Sequence, residues 1–262
     1  VEDHAEAVEE FRIALDGVRL SLGGRPVFRG LSCGFMRGQI TVILGESGSG
    51  KSTLLRLIAG LTRPDSGAVR VAGQDVARLG HADLYRLRDR IGMLFQYGAL
   101  LDSMTIADNV ALPLREHTER TEADVVAEVE RRLAAVGLPD AGPLYPRELS
   151  GGMSRRAALA RALVTDPEIV LCDEPFSGLD PLNLRRIEKL LVDLNRRLGL
   201  TMLVTSHHLA SSMRMAHRIV FLTEGRAVAG TPKDLVHSSE RAIVEFLDAD
   251  SGDEGPAGGS GA

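Results

Sequence analysis

Cysteine is almost absent from this chain of 262 residues, which carries only Cys33 and Cys172, far apart. Two thiols so placed offer neither a disulfide framework nor the clustered ligands of a zinc site, and a reducing cytoplasm is the expected setting. Long apolar runs are also missing. The longest, Ile40–Leu44 and Ile169–Cys172 among them, have the length of a buried strand. A membrane-spanning helix needs ~18 or more. Lysine is scarce: Lys51, Lys189 and Lys233 are the only three, and arginine supplies the other basic side chains. Neither sign of charge dominates. With 31 Lys and Arg against 36 Asp and Glu the net charge is −5, which argues against a chain built mainly to hold nucleic-acid phosphates. Residues 1–10 are acidic, the wrong sign for a secretory leader.

What is present is a chain with 44% apolar residues, enough for the core of one large domain or two small ones. Buried-strand candidates at 40–44, 91–95, 169–172 and 202–205 alternate with helical patterns, which predicts an α/β fold with a parallel sheet and crossover helices. Residues 11–21 and 26–34 read as short strands around the turn Gly23-Gly24, and 67–71 and 226–229 as two more. Residues 97–163 carry few strand signals. Within them, 122–136 place Val125, Val126, Val129, Leu133 and Val136 at helical spacing, so this stretch reads as a helical subdomain inserted into the sheet domain. Helices are expected at 232–236 and 241–247. Residues 248–262, acidic and glycine-rich, are expected to form a disordered tail after a single domain at 11–247.

The loop GESGSGKS at 45–52 fits the phosphate-binding pattern G-x-x-x-x-G-K-[ST] between a strand and a helix. Glycines let successive backbone N–H groups turn inward on phosphates. Lys51 places a point charge on the β- and γ-phosphates, the Ser52 hydroxyl ligates Mg²⁺, and the helix N-terminus adds about +0.5 of a charge. The expected ATP-binding set is Gly45, Glu46, Ser47, Gly48, Ser49, Gly50, Lys51, Ser52 and Thr53. A second acidic feature lies downstream. The apolar strand 169–172 ends in Asp173-Glu174, where open α/β sheets bind ligands. Asp173 is expected to hold Mg²⁺ through its water shell, and Glu174 to act as general base on the attacking water.

These elements, with four others in fixed order, resemble the ABC-type ATPases. LSGGM at 149–153 resembles the family signature, Phe95-Gln96 its Q-loop, SGLDP at 177–181 its D-loop, and Ser206-His207 its switch histidine; the likeness covers roughly residues 10 to 230. The resemblance implies a P-loop NTPase fold: an ABC-type nucleotide-binding domain with a RecA-like parallel-sheet core, an N-terminal antiparallel β-subdomain and an inserted α-helical subdomain. It implies a head-to-tail homodimer that sandwiches ATP. Ser150, Gly151 and Gly152 of one copy would face the γ-phosphate held by the other, Gln96 would sense Mg²⁺ and the attacking water, His207 would contact the γ-phosphate, and Asp180 would link the two sites. Three positions depart from the pattern. Met153 replaces the usual Gln, His208 stands where Asp is common, and Leu22 occupies the place of the aromatic that stacks on adenine, which predicts loose base selectivity.

Residues 95–118, with the signature helix LSGGMSRRAALARAL, resemble more narrowly the ATPases of MCE-type lipid transporters, the Mla phospholipid-trafficking group in particular. That resemblance implies a peripheral subunit on the cytoplasmic face of the inner membrane. Its partners would be an integral-membrane permease dimer, an MCE-domain protein and a small STAS-domain protein, with no nucleic acid. The alternative is the same ATPase serving another importer, for amino acids, metals or cell division. A nucleic-acid-associated ATPase would need a long coiled coil or a second phosphate loop, and neither is present; a non-enzymatic adaptor is at odds with Glu174 and His207. Met93, Phe95, Tyr97, Leu100, Leu101, Met104 and Ile106 are expected to line a groove for a partner helix. The helix at 241–247 is expected to dock on the second copy.

Overall fold

Three strands are buried along their whole length: β3 (Ile40–Leu44), β7 (Ile169–Cys172) and β8 (Thr201–Thr205). A fourth, β9 (Arg218–Thr223), is buried at its four central residues. Strands of this kind need cover on both faces, and the side-chain alternation shows how it is supplied. Val42, Val170, Val204 and Phe221 join one apolar cluster, while Ile43, Leu171, Leu203 and Val220 join another on the opposite face. These strands are the centre of a six-stranded sheet that also contains β6 (Ile91–Leu94) and β10 (Arg226–Gly230). The order is β10-β9-β3-β8-β7-β6, with only β10 antiparallel to its neighbour. The carboxyl ends of β3, β6, β7 and β8 therefore point the same way, and the loops that follow them meet along one edge. The structure, a computed structural model, describes residues 11–252. The acidic stretch 1–10 lies outside the described residues.

One face is covered by α1 (Lys51–Ile58) and by a four-stranded antiparallel sheet, β2-β1-β4-β5. β1 (Phe11–Leu22) and β2 (Arg25–Met36) form its long hairpin, and β4 (Ser66–Val71) and β5 (Gln74–Asp75) complete it. Gly23 and Gly24, with φ of 56° and 78°, make a two-residue turn that leaves Leu22 directly opposite Arg25. Both residues must adopt φ above zero in such a turn, which is why glycine occupies it.

The other face carries the inserted helices α3 (Ile106–His117), α4 (Glu122–Ala135) and α5 (Gly151–Leu163), together with α6 (Pro181–Leu198). Thr105, Thr121 and Ser150 cap α3, α4 and α5, each accepting from an N–H three residues on. The short α2 (His81–Arg88) precedes β6, α7 (Leu209–Met215) follows β8, and α8 (Pro232–Val236) follows β10.

The last helix, α9 (Arg241–Gly252), packs one face against its own chain. Ile243 is fully buried, Ala242, Phe246 and Leu247 pack on the α6-side core, and the Phe246 ring meets Phe221 edge-on at 5.2 Å. The apolar face of Ala242, Ile243, Phe246 and Leu247 recurs at helical spacing, and burying it at home satisfies it. The helix also runs past the boundary expected at Asp248, to Gly252; the remainder of the expected tail, 253–262, lies outside the described residues.

Candidate functional site

The loop between β3 and α1 is shaped by glycine. Gly45, Gly48 and Gly50 have φ of 145°, 81° and 99°. A Cβ added to Gly45 would lie 2.5 Å from the Leu222 carbonyl oxygen and 2.8 Å from Ser49 Oγ. One added to Gly50 would lie 2.9 Å from Val27 and Phe28. The start of α1 has no side-chain cap, so its first N–H groups are left facing the loop. Lys51 is 9% exposed, and Nζ donates to the carbonyl oxygens of Gly45 (2.8 Å) and Glu46 (3.0 Å). Burial pulls its ammonium below the ordinary value, opposed by the charges of Glu174 and Asp173.

At the end of β7 the two acids take different neighbours. Asp173 Oδ1 accepts from Ser52 Oγ at 2.9 Å and from Thr205 Oγ1 at 2.8 Å. Glu174 has φ of 47°, a left-handed conformation that costs a non-glycine residue ~1–3 kcal/mol. Its N–H donates to the same Thr205 hydroxyl at 2.8 Å, its Oε2 meets His207 Nδ1 at 2.8 Å, and its Oε1 lies 3.9 Å from Lys51 Nζ. Thr205 thus ties both acids to β8. Thr205 is not among the residues expected at the site; its signal in the sequence is a hydroxyl ending an apolar strand immediately before Ser206-His207. The rings of His207 and His208 sit 4.3 Å apart, and the His208 N–H donates to Ser206 Oγ at 2.9 Å.

Ser47, Gly48, Gly50, Lys51, Ser52, Thr53, Gln96, Glu174 and His207 line one cavity of about 530 Å³. Glu46 and Ser49 face a second, of about 960 Å³, on the hairpin side of the loop. Oxygen donors are at hand in the first: the Ser52 hydroxyl and the Gln96 amide line it, and the Asp173 carboxylate is bonded to Ser52 directly behind. Among the described residues no three His, Cys, Asp or Glu side chains gather as a metal cage. A cation here would take its remaining ligands from phosphate and water, which suits Mg²⁺.

Ser150, Gly151, Gly152 and Asp180 border neither cavity. They gather at a separate corner, where Ser150, Gly151 and Asp180 are exposed and Gly152 is buried beside them. A Cβ on Gly152 would lie 2.8 Å from Asn183 Oδ1, and Asn183 Nδ2 donates to Asp180 Oδ2 at 2.5 Å. Asp180 caps α6 through the N–H groups of Leu182 and Asn183, and those bonds hold its carboxyl below the usual range. Three arginines bind α5 to its surroundings. Arg155 donates to the Ser177 carbonyl, Arg156 to those of Val136 and Gly137, and Arg161 to those of Gly98 (2.8 Å) and Ala99 (2.7 Å).

A groove of about 490 Å³ runs beside Gln96, between α2, β6 and α3. Met93 and Phe95 line it, as expected. Ile106 does not: it is fully buried in the core, against which Leu100 also packs. Tyr97, Leu101 and Met104 lie outside it, and its far wall is Leu112, Pro113 and His117 of α3. No helix among the described residues is long and apolar enough to cross a membrane.

The sequence matches the ABC transporter family over residues 28–177. It is 42% identical over 245 residues to the intermembrane phospholipid transport system ATP-binding protein MlaF of Haemophilus influenzae, which covers 93% of this chain and 92% of that protein. It is 38% identical over 236 residues to a probable ribonucleotide transport ATP-binding protein, mkl, of Mycobacterium tuberculosis, covering 90% and 66%. Among solved structures, cbiO1 from Clostridium perfringens, part of the ABC transporter complex cbiONQ, is similar with a TM-score of 0.80, 25% identity, and 92% and 95% coverage. The ATP-binding cassette MJ0796, dimeric and bound to ADP and Pi in a post-hydrolysis state, is similar with a TM-score of 0.76, 29% identity, and 84% and 98% coverage.

Proposed function

The chain belongs to the ABC transporter family, and from that premise we propose that it is the ATP-hydrolysing subunit of a transporter that moves phospholipid between the inner and outer membranes. The observation that carries the ATPase reading is the bonded set Ser52–Asp173–Thr205–Glu174–His207, which presents Ser52, Glu174 and His207 beside Lys51 to one cavity. Near-full-length likeness to an MlaF supports the cargo.

Lys51 exchanges its two carbonyl acceptors for the β- and γ-phosphate oxygens of ATP, and the uncapped start of α1 donates to the same phosphates. Ser52 and Asp173, with Gln96 alongside, would hold Mg²⁺, which when bound would offset the charge of the phosphates. Glu174 accepts the proton of the attacking water at Oε1, its Oε2 being engaged by His207. His207 is then placed between the carboxylate and the γ-phosphate. Ser150 and Gly151 are exposed where α5 begins, with Gly152 buried behind them, so this end of the helix serves the ATP of a second copy: its N–H groups supply the positive field that an arginine finger supplies elsewhere. Asp180, beside them, links the two sites of this homodimer. The groove beside Gln96 receives a helix of an integral-membrane permease, which holds the pair at the cytoplasmic face of the inner membrane. An MCE-domain protein and a small STAS-domain protein complete the assembly.

The Glu174→Gln variant tests the chemistry. It retains ATP binding, loses at least ~100-fold in turnover and accumulates an ATP-bound dimer; near-normal hydrolysis would sink the general-base role. For cargo, the chain purified with its permease should carry glycerophospholipid by mass spectrometry. A polar solute in its place would favour the importer reading, for which the ribonucleotide label of the mycobacterial relative is the one specific support.

A further inference from the structure

We propose that Arg25 is the platform on which the nucleobase lies, its guanidinium standing in for an aromatic ring with Leu22 beside it. This rests on the reading of the loop after β3 as a nucleotide cradle. The two cavities at that loop share Val27, Ser47 and Gly48 but differ in chemistry. The smaller holds Lys51, Ser52 and Glu174, so the terminal phosphates belong there. The nucleoside must leave through the larger cavity, which runs from Glu46–Ser49 to Leu22 and Arg25.

The hairpin fixes what the base meets. Because Gly23 and Gly24 form a two-residue turn, Leu22 and Arg25 are directly paired across it. Side chains so paired leave the same face of the ribbon, with Cβ atoms ~5 Å apart. Val27 lies against Gly50 of the loop, since an added Cβ there would be 2.9 Å from Val27 Cγ1. Arg25 is thus two residues of extended chain, ~7 Å, from the phosphate cradle, a span that a ribose bridges. Leu22 is 45% exposed and aliphatic, so it supplies dispersion but no ring face. Arg25 is exposed, and its guanidinium makes no hydrogen bond or ion pair among the described residues. A planar guanidinium stacks on a π-system and tolerates any base, because every base has such a face. Adenine and guanine should therefore be held about equally.

Equilibrium binding of ATP, GTP and inorganic tripolyphosphate to the full chain tests this. Arg25→Ala should weaken ATP and GTP about tenfold each, the equivalent of ~1.4 kcal/mol, and leave tripolyphosphate unchanged. Arg25→Lys keeps the charge without the plane and should bind as weakly as Arg25→Ala. Adding Leu22→Tyr to Arg25→Ala should restore both nucleotides. Unaltered nucleotide binding by Arg25→Ala, wild-type binding by Arg25→Lys, or an equal loss of tripolyphosphate would overturn the proposal, the last two by assigning Arg25 to phosphate charge. If the wild type and Lys51→Ala bind ATP equally, the nucleotide reading of the loop fails instead, and the proposal with it.

Discussion

Replacing Thr205 with valine removes one hydroxyl and keeps the shape. That hydroxyl is fully buried, accepts the N–H of Glu174 and donates to Asp173 Oδ1. Its loss leaves a partly buried backbone donor unmet, at ~1–3 kcal/mol, and deletes a hydrogen bond to a carboxylate, at ~1.5–3 kcal/mol. Asp173 keeps Ser52 as a donor and Glu174 is not wholly buried, so the total belongs low in the combined range, at about 3 kcal/mol. For a domain of this size each kcal/mol moves Tm by ~2–4 °C, so the fall should be about 6–12 °C. Activity should suffer separately. Glu174 sits at φ of 47°, a conformation that persists only while its surroundings hold it. Released, its carboxylate shifts, and a misplacement of ~1 Å is enough to lose ~100-fold in turnover. Calorimetry and steady-state ATPase rates on Thr205→Val and Thr205→Ser measure both effects, with the serine variant near wild type in each. A valine variant that melts within about 1 °C of wild type, or turns over within about twofold, would refute the reasoning.

Two further outcomes follow from local geometry. Gly45→Ala should destabilise the fold by ~1–3 kcal/mol and weaken ATP binding at least ~10-fold, because its Cβ meets a main-chain oxygen at 2.5 Å. Gly48→Ala meets nothing within 4 Å and should cost only the ~1–2 kcal/mol of its left-handed backbone; a larger drop in Tm for Gly48→Ala than for Gly45→Ala would contradict this. Burial and the neighbouring Asp173 push the Cys172 thiol up to about 12. Its thiolate is therefore scarce at neutral and mildly basic pH, and iodoacetamide should leave Cys172 unmodified in the folded chain at about pH 8 but label it once guanidinium unfolds the chain. Mass spectrometry of the peptide reads the difference.

The parts legible in the sequence are those where chemistry demands residue types at fixed spacing. The loop around Lys51 and the acids after β7 are of this kind, and the structure places Lys51, Ser52, Gln96, Glu174 and His207 about one cavity. Strand β9 escaped because Ile219–Leu222 is a short apolar run with no turn residue marking its start, and such a run reads equally as strand or helix. Ile106 and Leu100 were misplaced for a related reason: which side of a short apolar stretch faces inward is decided by the elements packed on it. Thr205 was invisible because its function is a distance to a neighbouring strand. The left-handed backbone of Glu174 was equally so, since its side chain gives no hint of φ.

The three arginines of α5 have a consequence for how the chain can vary. Every acceptor they use is a main-chain carbonyl: Ser177, Val136, Gly137, Gly98 and Ala99. A carbonyl is the same whatever side chain it carries. At Val136 and Ser177 the grip therefore makes no demand on the side chain, whereas Gly98 and Gly137, at φ of 76° and 72°, are held to glycine by their left-handed backbone. The arginines have no such freedom, because Arg161 needs both nitrogens of its fork for two successive carbonyls and a lysine offers only one compact charge. The attachment is thus written in the side chains of one helix and, on the other side, in backbone shape rather than in side-chain chemistry.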